Sequence, residues 1–336
     1  MKYLWIENTR FVASFAVVLL HVASGVVDNA ALGSFNWWVA NFADSFVRWC
    51  VPVFIILTGY LLSDPNKQIP IYDFYKKRVS RILIPITVWI IFYSMVTYLL
   101  SGSKGSILSL IENFATGKPY YHMWYFYLLV GLYLVAPFVN RLILNLSDKE
   151  LILVIFFSSL LSSIDMTWDH FLNRTNSWPM TWFLSFLPFY FVGNLFHRTG
   201  VVEKMYVFNL PVFLCSFTIV FLGFFVLAKS IGQSGATIMY SFLSIPVGLM
   251  AVTVFLALRS GKFCFFSPLI ITHYAKLSFG IYLIHPFFLT LRDYFGFTNF
   301  SDNAVIYIFV TTILTYVVSG LSVRILLQVP FFRLTV

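Results

Sequence analysis

Arg10 and His21 stand eleven residues apart at the start of an apolar run, with Glu7 three residues before the arginine. In an α-helix that separation turns through about 1100°, within roughly 20° of whole turns, and rises about 16 Å. The spacing predicts that Arg10 and His21 share one helix face, with the guanidinium at the mouth and the imidazole well inside. Ser14 and Val17 or Val18 fall between them, on or near that face. Such a stripe is expected to line an interior channel. Burial favours the neutral imidazole, the form a general base needs. An alcohol is a weak nucleophile until its proton is taken. His21 can take that proton, or can carry an acyl group itself. The plain alternative is a structural histidine hydrogen-bonded to a neighbouring helix.

A second group is Tyr75-Lys76-Lys77-Arg78-Val79-Ser80-Arg81, followed by Pro85. Arg78 and Arg81 are three residues apart and are expected to share a helix face. Two guanidinium forks there suit the phosphates of a soluble donor. Ordinary anchoring of a membrane helix is the better account of Lys76 and Lys77, and serves Arg78 and Arg81 as well as the clamp does. A third set gathers His122 and Trp124, inside Tyr120-Tyr121-His122-Met123-Trp124-Tyr125, with Tyr282 and His285, inside Tyr282-Leu283-Ile284-His285-Pro286. Asp44 and Arg48 are four apart and are expected to pair. Aromatic rings with a few polar groups suit a sugar-binding surface, and suit an interfacial aromatic belt as well. Cys50, Cys215 and Cys264 show no metal-ligand spacing and read as free thiols; no metal site is expected.

These residues must be held by membrane helices. The chain has 336 residues, 60% of them hydrophobic and only 10% charged, with 39 phenylalanines and a mean hydropathy of +0.85. Soluble domains run near a quarter charged, so the solvent for this surface is lipid. The expected architecture is all-α and polytopic, with about ten transmembrane helices. The expected spans are Phe11–Val27, Trp38–Leu62, Ile82–Leu100, Met123–Leu144, Leu151–Ile164, Met180–Phe196, Val207–Leu227, Ile238–Leu258, Leu277–Leu291 (starting nearer Pro268 in a longer reading) and Ala304–Leu327. With both termini in the cytoplasm, 16 Lys and Arg fall inside and five outside, with Arg48 in a span. That asymmetry supports the even count and the orientation. The net charge of +9 is therefore read as topology rather than as nucleic-acid binding. The N-terminus lacks the pattern of a cleaved signal peptide, so the first helix is expected to be retained. Residues 1–336 are read as a single membrane domain, expected in a bacterial inner membrane, with an open oligomeric state that includes a homo-oligomer.

Five motifs in order carry a resemblance. They are Arg10-x10-His21; Val51-Pro52-Val53-Phe54-Ile55-Ile56-Leu57-Thr58-Gly59-Tyr60-Leu61; Arg78-x-x-Arg81 before Pro85; Tyr121-His122-Met123-Trp124-Tyr125-Phe126; and Leu277-Ser278-Phe279-Gly280-Ile281-Tyr282-Leu283-Ile284-His285-Pro286. In this order and spacing the chain resembles the integral-membrane acyltransferase 3 family nearly end to end. It is most similar in kind to the single-domain polysaccharide O-acetyltransferases, such as those acting on enterobacterial common antigen. The resemblance implies ten helices and transfer of an acetyl or other short acyl group from cytoplasmic acyl-CoA to a hydroxyl of an extracytoplasmic glycan or glycolipid. Acyl-CoA is then a co-substrate, and no tightly bound cofactor is implied. The family's essential arginine and histidine fall on Arg10 and His21, and its donor-side arginines on Arg78 and Arg81. Two departures stand out: Glu7-Asn8-Thr9-Arg10-Phe11 replaces the usual Asp-Gly-Leu-Arg-Gly-like segment, with Glu7 in the acidic place, and Thr58 stands where Ser is usual. No esterase-like domain follows the last helix, so acceptor handling is expected of the membrane domain or a partner.

A transporter or flippase for glycan or lipid intermediates is the rival reading. It predicts inverted repeats and helices broken near the midplane, and the sequence shows neither. A non-catalytic scaffold for glycan assembly leaves His21 without a role.

Overall fold

A computed structural model describes residues 4–64, 70–100, 112–117, 119–172, 178–199, 206–297 and 303–335. Every regular element among the described residues is helical. Lys2, Lys67, Lys104, Lys118, Arg174 and Lys204, which counted toward the loop-charge asymmetry, lie outside them.

Helix α1 (Leu4–Asn29) carries Glu7 in its first turn, where a carboxylate meets the positive end of the helix dipole. The expected second span is two helices, α2 (Phe35–Val47) and α3 (Cys50–Leu62). Ser34 starts α2 by accepting the Trp37 N–H at 3.2 Å. Pro52 lies in the first turn of α3, where a missing N–H leaves no bond unmade.

The third expected span, Ile82–Leu100, is α5 (Ile84–Leu100), and ahead of it the helix continues as α4 (Ile71–Arg78) and a π-helical turn (Val79–Leu83). Pro85 has no N–H for the Arg81 carbonyl, and the backbone widens just before it. Beyond it come α6 (Trp124–Leu144), α7 (Asp148–Phe171), α8 (Trp182–Thr199), α9 (Tyr206–Ala236), α10 (Ile245–Arg259), α11 (Pro268–Tyr294) and α12 (Ala304–Leu326). Gly232, at φ +81°, bends α9 near its end. Both spans that looked short are longer here. A Ser147–Glu150 capping box starts α7 ahead of Leu151, and a Ser267 cap with Pro268 in the first turn starts α11.

Among the described residues seven helical stretches are, by length and composition, long and apolar enough to cross a membrane, and the one over Asn209–Arg259 contains α10 and all of α9 but its first three residues. Helix α7 shows what such a solvent must be. Leu151 is its one buried residue, while Phe156, Phe157, Leu161, Ile164 and Trp168 are exposed. An apolar face of that extent belongs in lipid.

Helix α1 sits at the centre, packed against α2, α3, α11 and α12, with Ala13, Val18 and Ala23 fully buried. Helices α3 and α8 touch backbone to backbone. A Cβ on Gly59 would strike the Tyr190 carbonyl, and one on Gly193 the Ile56 carbonyl. Small residues at a crossing permit the close approach that drives helix association in lipid.

Candidate active site

Because α1 runs from one end of the bundle to the other, its residues measure depth. A cavity of about 430 Å³ opens on Arg10 near its start. Arg78 of α4 and Lys276 of α11 line the same cavity, and among the described residues no Asp or Glu does. Arg78 lies over the Tyr133 ring at 4.7 Å and the Phe74 ring at 5.1 Å, and its Nε makes no hydrogen bond among the described residues. Two aromatic faces thus orient the guanidinium by cation–π attraction. Glu7 sits one turn before Arg10 and accepts a 2.6 Å hydrogen bond from Thr272 Oγ1 of α11. Thr58 also lines the cavity, its hydroxyl donating to the Phe54 carbonyl at 2.8 Å.

Arg81 departs from the shared face expected of it. It lies within the π turn, is exposed, and is not among the cavity's lining residues. The i,i+3 stacking of an α-helix is lost where the backbone bonds i to i+5.

His21 lies about 16 Å further along α1. Its imidazole stacks on His285 of α11, centroids 5.3 Å apart and planes at 28°, and meets the Tyr121 ring edge-on at 5.0 Å. His122 adds a third imidazole, 5.9 Å from His285 and 5.4 Å from the Tyr282 ring. His122 is 1% exposed and His285 0%. Neither ring nitrogen of His122 has a well-formed hydrogen bond among the described residues. The Leu283 carbonyl beside it is taken by Tyr93 Oη at 2.6 Å. Tyr282 donates to the His122 carbonyl at 2.5 Å, tying α11 to the segment before α6.

The face of α1 between Arg10 and His21 is packed rather than open. Val17 and Val18 are buried, and Ser14 turns to Tyr316 of α12 at 2.9 Å. Tyr282 of α11 stands between the Arg10 cavity and the imidazoles. Tyr282 lines the Arg10 cavity with one side, and its ring centroid is 5.9 Å from that of His285.

At the opposite end of α1, two adjoining cavities of about 710 and 1010 Å³ share Trp124, Phe186, Ser234, Thr237, Ser241 and Leu243 as walls. The smaller reaches Ser24, one turn beyond His21, with Asp28, Arg48, Gln233 and Tyr240. The larger reaches Asp165, Asp169 and His170 of α7 with Trp182. Asp44 and Arg48 do pair, at 2.6 Å. Ser24 donates to Asp44 at 3.1 Å, and Arg48 donates to the Tyr240 carbonyl at 3.3 Å, with its Cζ 4.0 Å over the Tyr240 ring.

The structure thus brings His21, His122, Tyr282 and His285 together, sets Glu7, Arg10 and Arg78 at one end, and sets Trp124, Asp44 and Arg48 at the other. Ser24 and Asp28 were not anticipated, although both follow His21 at helical spacing, three and seven residues on. Lys276, Asp165 and Asp169 had no such signal, because only tertiary packing turns them toward cavities. Among the described residues no cluster of His, Cys, Asp or Glu is arranged to hold a metal ion.

A family model described as an acyltransferase domain, the acyltransferase 3 family, matches residues 3–323. Among curated proteins, the chain is 24% identical over 280 residues to the probable poly-beta-1,6-N-acetyl-D-glucosamine export proteins of Staphylococcus aureus strains MSSA476, MW2 and N315. The alignment covers 79% of this chain and 75% of each relative. No solved structure matches significantly.

Proposed function

This chain belongs to the acyltransferase 3 family, and from that premise we propose that it is a membrane O-acyltransferase. It moves an acetyl or other short acyl group from cytoplasmic acyl-CoA to a hydroxyl of an extracytoplasmic polysaccharide or glycolipid. The observation that carries this reading is the order of groups along the bundle: a cation-lined cavity, a histidine cluster, and a second, roomier pair of cavities.

Coenzyme A is anionic at its nucleotide end. Arg10, Arg78 and Lys276, with no carboxylate among the lining residues, suit its phosphates. The thin thioester arm then points past Tyr125 and Tyr282 toward the imidazoles. Arg81, exposed near the same end, contributes long-range attraction at most. The acceptor enters from the other side, past Trp124, the Asp44–Arg48 pair and Ser24. The aromatic walls there offer stacking faces for sugar rings, and Asp28, Asp165 and Asp169 accept sugar hydroxyls. With Arg48 already paired to Asp44, these walls favour uncharged or amino-bearing sugars over polyanionic ones.

In the chemical step His21 either removes the acceptor proton or takes the acyl group first. Only the acyl group has to change compartments, which spares the enzyme from carrying either polar substrate across lipid. This reading takes the Arg10 end as cytoplasmic, both termini as inside, ten crossings in one membrane domain, and an inner-membrane location.

The test is transfer of label from acetyl-CoA to surface glycan by the purified protein in detergent, matched by NMR of glycans from cells with and without it. A labelled O-acyl product supports the reading; intact acetyl-CoA and unchanged glycans refute it. A transport reading is favoured by one observation, the export function in the relatives' names. Glycan translocation without acyl-CoA consumption would establish it instead.

A further inference from the structure

His285 has a fixed tautomer. Its Nδ1 lies 3.0 Å from the Ile281 carbonyl, which can only accept. Nδ1 therefore carries the N–H of the neutral ring, and the lone pair is on Nε2. That Nε2 is buried, in a residue with no exposed surface, and has no partner among the described residues. A buried acceptor left unpaired costs on the order of 1–3 kcal/mol, so the site awaits a donor from outside the protein. Among the described residues no hydrogen bond sets the tautomer of His21, whose ring stacks on His285 and meets Tyr121 edge-on.

We propose that His285 is the proton acceptor for the acceptor hydroxyl, oriented by Ile281 and stacked on His21. This rests on the acyl-transfer reading and settles one of the two roles left open there for His21: the proton goes to His285, and His21 is left to carry the acyl group or to hold the base in place by its stack. His285 Nε2 takes the proton of the sugar hydroxyl as its oxygen attacks the acyl carbonyl carbon. The bond from that carbon to the leaving atom breaks, its electron pair going to the coenzyme A sulfur, or to a His21 nitrogen where His21 holds the acyl group. The imidazolium of His285 then returns the proton to the leaving atom, giving ester and free thiol, or ester and neutral His21. No oxidant, metal or further reactant is required. The carbonyl of Ile281 does for His285 what a carboxylate does for the base of a hydrolase triad: it sets tautomer and ring angle.

The decisive variant is His285→Asn. Its amide nitrogen can still donate to the Ile281 carbonyl, whereas nothing replaces Nε2. Expected are an unchanged melting temperature in detergent, an unchanged apparent constant for acetyl-CoA, and transfer to glycan reduced about 100-fold or more. Transfer within threefold of the parent protein would show a structural histidine and overturn the proposal. His285→Ala gives a second arm: added imidazole should restore part of its transfer, and a folded Ala variant that imidazole leaves inactive also overturns it. Absence of transfer by the unsubstituted protein would refute the acyltransferase reading itself, while an active parent with an active Asn variant refutes only the role of His285.

Discussion

The imidazole of His21, on the central helix, lies stacked on the imidazole of His285, 5.3 Å between centroids and 28° between planes. A ring is therefore needed at position 21 for packing, whatever its nitrogens do. Substituting His21→Phe separates the two needs. The phenyl ring keeps the stack and the edge contact with Tyr121, so the melting temperature should stay within a few degrees of the parent. Transfer from labelled acetyl-CoA should fall about 100-fold or more, the scale of a lost base or nucleophile. Full activity in the Phe variant removes His21 from the mechanism.

Arg78, at the end of α4, and Arg81, in the π turn, should behave unequally. Arg78 faces the cavity beneath Tyr133, whereas Arg81 is exposed beyond the lining. Reversing Arg78→Glu should raise the apparent constant for acetyl-CoA roughly 10-fold to 100-fold, the range of a lost charge-assisted hydrogen bond. Reversing Arg81→Glu should raise it less, and added salt should shrink the Arg81 effect first, since exposed charges are screened most. Equal effects from both would place Arg81 in the donor site after all.

Much of this arrangement was legible in the chain itself. Apolar runs marked the helices, and the eleven-residue spacing of Arg10 and His21 put one near an end and the other deep. The four-residue spacing of Asp44 and Arg48 gave their ion pair. What spacing misses is interruption and convergence. The break at Arg48–Trp49 falls just ahead of Pro52, which has no N–H for the Arg48 carbonyl, and the π turn before Pro85 moves Arg81 off the face it would share with Arg78. The meeting of His21, His122 and His285 joins residues over 100 positions apart, and no local period records which faces of α1 and α11 oppose. Ser14 shows the converse error: a residue in the predicted stripe that packing on Tyr316 turns aside.

The Asp44–Arg48 pair predicts a marked asymmetry between single and double substitution. Asp44 has no exposed surface, and only one of its carboxylate oxygens is hydrogen-bonded. Asp44→Ala leaves the Arg48 charge buried without its partner and should cost about 3–5 kcal/mol. Replacing both by apolar residues of similar volume should cost far less, because two desolvated charges go together. Thermal unfolding in detergent reads both. If the reading of the second cavity is sound, the double variant should fold well and still bind glycan poorly, which separates stability from recognition.

The crossing of α3 and α8 supplies a prediction independent of any chemistry. Gly59 and Gly193 let the two backbones meet, and a methyl group on either falls on a carbonyl of the other helix rather than on a movable side chain. Neither helix can yield locally, because Val53, Ile56 and Tyr190 are buried around the contact. Gly193→Ala should therefore force the helices apart and cost about 1–3 kcal/mol. Gly25→Ala, on α1 with open space around its Cα, is the control and should be neutral or slightly stabilising. Because α3 also carries Thr58 and Leu62 of the Arg10 cavity, spreading the crossing should loosen that cavity as well. The Gly193→Ala variant should thus show both a lower melting temperature and a weaker apparent affinity for acetyl-CoA. Loss of stability with donor affinity intact would mean that α1, α4, α6 and α11 hold the cavity without help from α3.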